Sequence, residues 1–100
     1  MPFPILNQLV TPLVRASLND EELVDVVAEH RQGNWGEFDA DIKTWNNEVV
    51  QAWQQNGRES TDRAVSSLFT VGAHRILIVT RANLTTVCMY DEYVPLALQR

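Results

Sequence analysis

One hundred residues suffice for one domain around one hydrophobic core, and the 45 % hydrophobic fraction is too high for a disordered chain. A net charge of −5 disfavours a nucleic-acid binder that works through a broad basic surface. The single cysteine, Cys88, excludes an internal disulfide and a cysteine-built zinc site, and no stretch reaches the ~20 apolar residues of a membrane span.

Ile5 to Val10 is a short apolar segment, read as extended. Thr11-Pro12 then starts a helix that runs to about Leu18, because proline at the first helical position sacrifices an N–H that would be unbonded anyway. Asn19 and Glu22 have capping-box spacing, and the acids Asp20, Glu21 and Glu22 suit the positive end of a helix dipole. Leu23, Val26, Val27 and His30 follow on one face, and Gly33 is the stop. Asn34 to Phe38 is a tight connection holding two aromatics. Asp39 caps a third helix with an expected apolar face of Ile42, Trp45, Val49 and Trp53, closed by Asn56-Gly57. Arg58 to Asp62 is polar and expected at the surface.

The second half has β periodicity. Ala64 to Val71, Arg75 to Thr80 and Thr85 to Tyr90 read as strands, separated by turns at Gly72-Ala73-His74 and Arg81-Ala82-Asn83. Ile76 to Val79 is apolar on both faces and marks the central strand. Leu96 to Arg100 reads as a tail after Pro95. The expected fold is a single α+β domain over residues 1–100, with N-terminal helices packed on a three-stranded antiparallel β-meander.

Gly33-Asn34-Trp35-Gly36-Glu37, Asn46-Asn47-Glu48, Ile76 to Asn83, Thr85 to Met89 and Asp91-Glu92-Tyr93 carry a pattern that runs over most of the chain. The pattern resembles a family of short proteins labelled "plasmid-related" on bacterial mobile elements. Members show a Gly-Asp-Trp-Gly-Asp motif, a Trp-Ile-Ile-Thr-Glu-Ala-Asp strand and turn, and a terminal Glu-Glu-Tyr. The family's Glu and Asp at that turn are Arg81 and Asn83 here. The resemblance implies a shared fold and a phage or plasmid setting, and no established reaction.

Chemistry-bearing residues are sparse. Cys88 and His74 would lie about 10 Å apart at strand rise, too far for a nucleophile–base pair. Asp25, Glu29, His30, Asp39 and Asp41 show no metal-ligand spacing, and the scattered glycines make no phosphate loop. Trp45 and Trp53 read as core. Trp35, set between Gly33 and Gly36, reads first as a structural plug and second as an interaction anchor. The expectation is a non-enzymatic, cytoplasmic, protein-binding accessory protein of a mobile element that needs no cofactor or metal. Inhibition of a host defence complex such as CRISPR or restriction is one such role, and the chain has no membrane contact and no direct contact with nucleic acid. Candidate partner-binding residues are Trp35, Glu37, Asp39, Asp41, Arg81 and Tyr93, and a homodimer is compatible with this reading. The alternatives are a small enzyme or ligand-binding regulator with an unrecognised site, and a nucleic-acid-binding regulator. A binder would place its affinity in aromatic or arginine anchors. A charge mimic would spread it over the acids of the first half.

Overall fold

The structure is a computed structural model that describes residues 3–92. Strand β1 (Asn7–Val10) leads into helices α1 (Pro12–Ser17), α2 (Asp20–Arg31) and α3 (Ala40–Asn56). A 3-10 turn (Arg58–Ser60) follows, then strands β2 (Ala64–Val71), β3 (His74–Arg81) and β4 (Leu84–Met89). The caps expected from the sequence are in place. Thr11 Oγ1 accepts from the Val14 N–H, Asn19 and Glu22 close a reciprocal capping box, and Asp39 accepts from the Ile42 N–H. Each satisfies a backbone donor that a helix start leaves open.

The class is α+β, but the sheet is not the expected three-stranded antiparallel meander. It has four strands in the order β1-β4-β3-β2, and β1 pairs with β4 in parallel. A meander would leave the free edge of β4 unbonded. The uncharged N-terminal segment fills it: the Asn7 N–H donates to the Asn83 carbonyl at 3.1 Å, and the Thr11 N–H to the Val87 carbonyl at 3.0 Å. The β2–β3 and β3–β4 hairpins are antiparallel as expected, but their turns are two residues, Gly72-Ala73 and Ala82-Asn83, because His74 and Arg81 pair within β3.

Strand register sorts the core. Val65, Thr80 and Thr85 form one cross-strand row, and Ser67, Ile78 and Val87 form the next, all on one face of the sheet. Val10, Val14, Leu18 and Val26 pack with Ile76, Ile78 and Val87 in one apolar cluster. Phe3, Trp35, Val49, Val50, Trp53 and Val65 make a second. His30 stands between them, fully buried, with edge-on ring contacts to Phe3 and Trp35.

Two surface expectations are corrected. The buried stripe of α3 is Asn46, Val49, Val50 and Trp53, while Trp45 is 45 % exposed. Arg58, expected in a solvated polar loop, is half-buried over the rings of Phe3 and Trp53, at 5.7 Å and 5.0 Å. It donates to the carbonyls of Ala82 and Pro4 and so ties the β3–β4 turn to the N-terminal segment. An arginine there completes a cation–π stack on the second cluster while its Nε and Nη1 donate to backbone oxygens and Nη2 is buried without a hydrogen-bond partner among the described residues.

Candidate functional site

The outer edge of β2 is covered, residue by residue, by side chains and loop backbone. Trp45 Nε1 donates to the Ala64 carbonyl at 3.3 Å. Asn46 meets both groups of Ser66. Its Nδ2 donates to the Ser66 carbonyl at 2.7 Å, and its Oδ1 accepts from the Ser66 N–H at 3.2 Å. The Leu68 N–H donates to the Trp35 carbonyl at 3.2 Å, and the Glu37 N–H donates to the Leu68 carbonyl at 2.8 Å. An amide that presents one donor and one acceptor stands in for a neighbouring strand, which is why a polar residue occupies the buried stripe of α3. Asn46→Ala is expected to cost roughly 2 kcal/mol by urea denaturation. The Ser66 amide should then exchange its hydrogen faster, while amides at the far end of β3 do not.

Gly36 lets the loop come this close. Its φ is +71°, and a Cβ built there would lie 2.0 Å from the Leu68 carbonyl oxygen. Trp35, just before it, is buried, stacks on Phe3 at 6.0 Å and donates from Nε1 to Asn47 Oδ1 at 2.9 Å.

Beside the covered edge lies a shallow groove of about 420 Å³, lined by Asp41, Ile42, Trp45, Asn46, Ala64 and Ser66. The Arg63 guanidinium stacks over the Trp45 ring, 4.6 Å from its centroid. The indole is therefore held from both sides, by the Ala64 carbonyl and by Arg63, while nearly half its surface stays in solvent. A fixed, exposed aromatic with an arginine on its face is the side-chain chemistry that concentrates binding energy at protein interfaces.

The expected partner-binding residues distribute unevenly around this surface. Asp41 lines the groove, and Arg81 is exposed at the end of β3, in register with Ala64. Glu37 and Asp39 are exposed on the loop that leads into α3, with Asp39 committed to its cap. Trp35 is interior and belongs to the fold. Tyr93 lies outside the described residues. Trp45 and Arg63 were missed as surface residues because helical spacing alone assigns Trp45 to the core stripe and nothing local to Arg63 marks it.

His30, Ser67 and Cys88 are enclosed, whereas His74 is half-buried at the start of β3. His30 Nδ1 lies 2.6 Å from Ser67 Oγ, and its Nε2 lies 2.9 Å from Thr80 Oγ1, which in turn meets Thr85 Oγ1 at 2.7 Å. The Ser67 hydroxyl also reaches the Asn34 carbonyl at 3.3 Å, so each ring nitrogen has a hydroxyl partner and the chain of hydroxyls is closed within the core. With hydroxyls on both ring nitrogens, the imidazole has no carboxylate partner of the kind that orients a general base. All four side chains are fully buried. Desolvation lowers the His30 pKa from the usual 6.5 to about 3. Cys88 faces Leu77 across the ladder, three positions from His74, and burial, with the charge of Glu92, pushes its thiol up to about 11. A thiol so far above neutrality is a poor nucleophile. Among the described residues no three His, Cys, Asp or Glu side chains gather in metal-binding range.

A second groove, of about 710 Å³, runs between the N-terminal segment and α2, lined mainly by Phe3, Ile5, Leu23, Val24 and Val27, with Gln8 and Arg31 at its margins. No helix among the described residues is long and apolar enough to cross a membrane. No family model matches the chain, and neither curated proteins nor solved structures yield a match.

Proposed function

We infer that the chain is a protein-binding module without catalytic chemistry of its own, and that it acts by occluding a partner's surface. The observation that carries this reading is Trp45: large, 45 % exposed, and fixed by Arg63 and the Ala64 carbonyl instead of free to collapse onto its own helix. The sealed state of His30, Ser67 and Cys88 supports it, because the residues best suited to catalysis are spent on the core. The recognition surface is the α3 side of the β2 edge, with Trp45 and Arg63 as anchors, Ile42 beside them and Asp41 and Arg81 at the rim. The resemblance to plasmid-related proteins supports a mobile-element setting, in which a host defence complex such as CRISPR or restriction is the partner and the cytoplasm the place of action.

The test is comparative capture from a host that carries the chain, with wild type, Trp45→Ala, Arg63→Ser and the remote control Glu21→Gln as baits. Truncating a central aromatic anchor costs at least about 2 kcal/mol of binding, roughly a thirtyfold loss of affinity. Trp45→Ala should therefore lose the partner that wild type and Glu21→Gln retain, with its denaturation midpoint nearly unchanged. Equal capture by all four baits would contradict the assignment of the surface.

A further inference from the structure

The two edges of the sheet are finished differently. The β2 edge is covered at Ala64, Ser66 and Leu68. The β1 edge meets no further strand among the described residues. The N–H groups of Asn7 and Thr11 point inward to β4, so strand alternation turns the N–H and C=O of Gln8 and Val10 outward, with Leu6 continuing the series. Six large apolar side chains are exposed among the described residues. Leu6, Leu9, Val24 and Leu84, all between 48 % and 64 % exposed, lie on or beside β1 or in the groove that Gln8 borders. Leu13, near the β2–β3 turn, and Trp45 lie elsewhere. An unpaired strand framed by leucines is a pairing site unless charge or proline blocks it. No charged residue occurs between Met1 and Arg15.

We propose that β1 pairs antiparallel with β1 of a second copy, joining two four-stranded sheets into one continuous sheet about a two-fold axis through Gln8. The argument for a second copy is self-complementarity. Antiparallel hydrogen-bonded pairs join residues whose backbone groups both point outward, so Gln8 meets Gln8 of the second copy and Leu6 meets its Val10. Pro4 and Pro12 are equidistant from Gln8, and Pro12, the first residue of α1, takes the chain out of the strand where the partner's Pro4 would arrive. Neither has an N–H, so together they close both ends of the pairing and disfavour slippage. Charge agrees. Each copy carries −5, and the uncharged run is where two such chains approach with least repulsion. The contact leaves Trp45 and Arg63 at the far edges of the joined sheet, so the dimer would present the proposed recognition surface twice. The dimer stands or falls independently of that surface.

Sedimentation equilibrium of the wild-type chain over a wide concentration range is the experiment, with Gln8→Pro and Leu9→Lys alongside. Gln8→Pro removes an N–H that has no described partner within one copy. It should leave the far-UV spectrum intact while raising the dimer dissociation constant at least about tenfold, because both central hydrogen bonds are lost. Leu9→Lys should weaken the dimer without unfolding the chain. The expected wild-type mass is twice 11.4 kDa. A wild type that stays monomeric at every concentration would overturn the proposal and leave the edge to a strand from another protein. A dimer indifferent to both substitutions would overturn it too.

Discussion

Trp35→Ala is expected to lose roughly 4 kcal/mol of stability, the range for emptying a buried aromatic site. Trp35 fills the end of the second apolar cluster against Phe3 and bonds Asn47, and its carbonyl holds Leu68. Neighbouring backbone is pinned at Gly36, so the site cannot collapse to fill the void. Such a loss is a large fraction of what a domain of this size holds in reserve. Trp35→Phe keeps most of the ring, gives up the Asn47 bond and should lose only about 1–2 kcal/mol. Urea denaturation of the three proteins measures this. A Trp35→Ala variant with an unchanged midpoint and lost partner binding would move Trp35 from the fold to the interface.

The second large effect is a pH dependence written by one histidine. In the unfolded chain His30 takes up a proton below about 6.5, whereas in the folded chain it stays neutral until about 3. Between those values the unfolded state binds more protons, so stability falls as the pH falls. Relative to pH 7 the loss from this residue is about 2 kcal/mol at pH 5 and about 3 kcal/mol at pH 4. His30→Leu removes the titration and leaves Ser67 on the Asn34 carbonyl and Thr80 on Thr85. At pH 7 it should be less stable than wild type by roughly 2 kcal/mol, for the lost hydrogen bonds. By pH 4 that gap should close or reverse. Carboxylates titrate in both proteins and cancel in the difference. Parallel stability–pH curves for the two would show that His30 is not held neutral.

Helix starts, hairpins and strand bounds were legible because each depends on near neighbours: Asn19 with Glu22, Asp39 with the Ile42 N–H, Gly72 within one turn. β1 was legible only as an extended segment. Its partner lies more than seventy residues away, and four residues carry too little pattern to choose between an edge and a loop. The α3 stripe was misplaced by one polar residue. Asn46, Val49, Val50 and Trp53 have helical spacing too, but asparagine reads as solvent-facing until the unbonded groups of Ser66 are known to stand opposite it. With Asn46 inside, Trp45 turns outward. The candidate site was therefore half visible. The loop acids and Arg81 could be named from sequence, while its two anchors depend on how α3 meets the sheet edge. His30 was placed on the apolar face, but its partners, Ser67 and Thr80, come from two other strands.

The most direct measurement of the central claim is calorimetric affinity of the captured partner for wild type, Trp45→Ala and the pair Asp39→Asn and Asp41→Asn, at about 0.1 M and about 1 M salt. Over that range the screening length falls from about 10 Å to about 3 Å. An anchored aromatic interface predicts near-constant wild-type affinity, a loss of roughly thirtyfold or more for Trp45→Ala at both salts, and small effects from the charge-removing variants. A steep fall of wild-type affinity with salt, together with additive losses at Asp39 and Asp41 and none at Trp45, would contradict it.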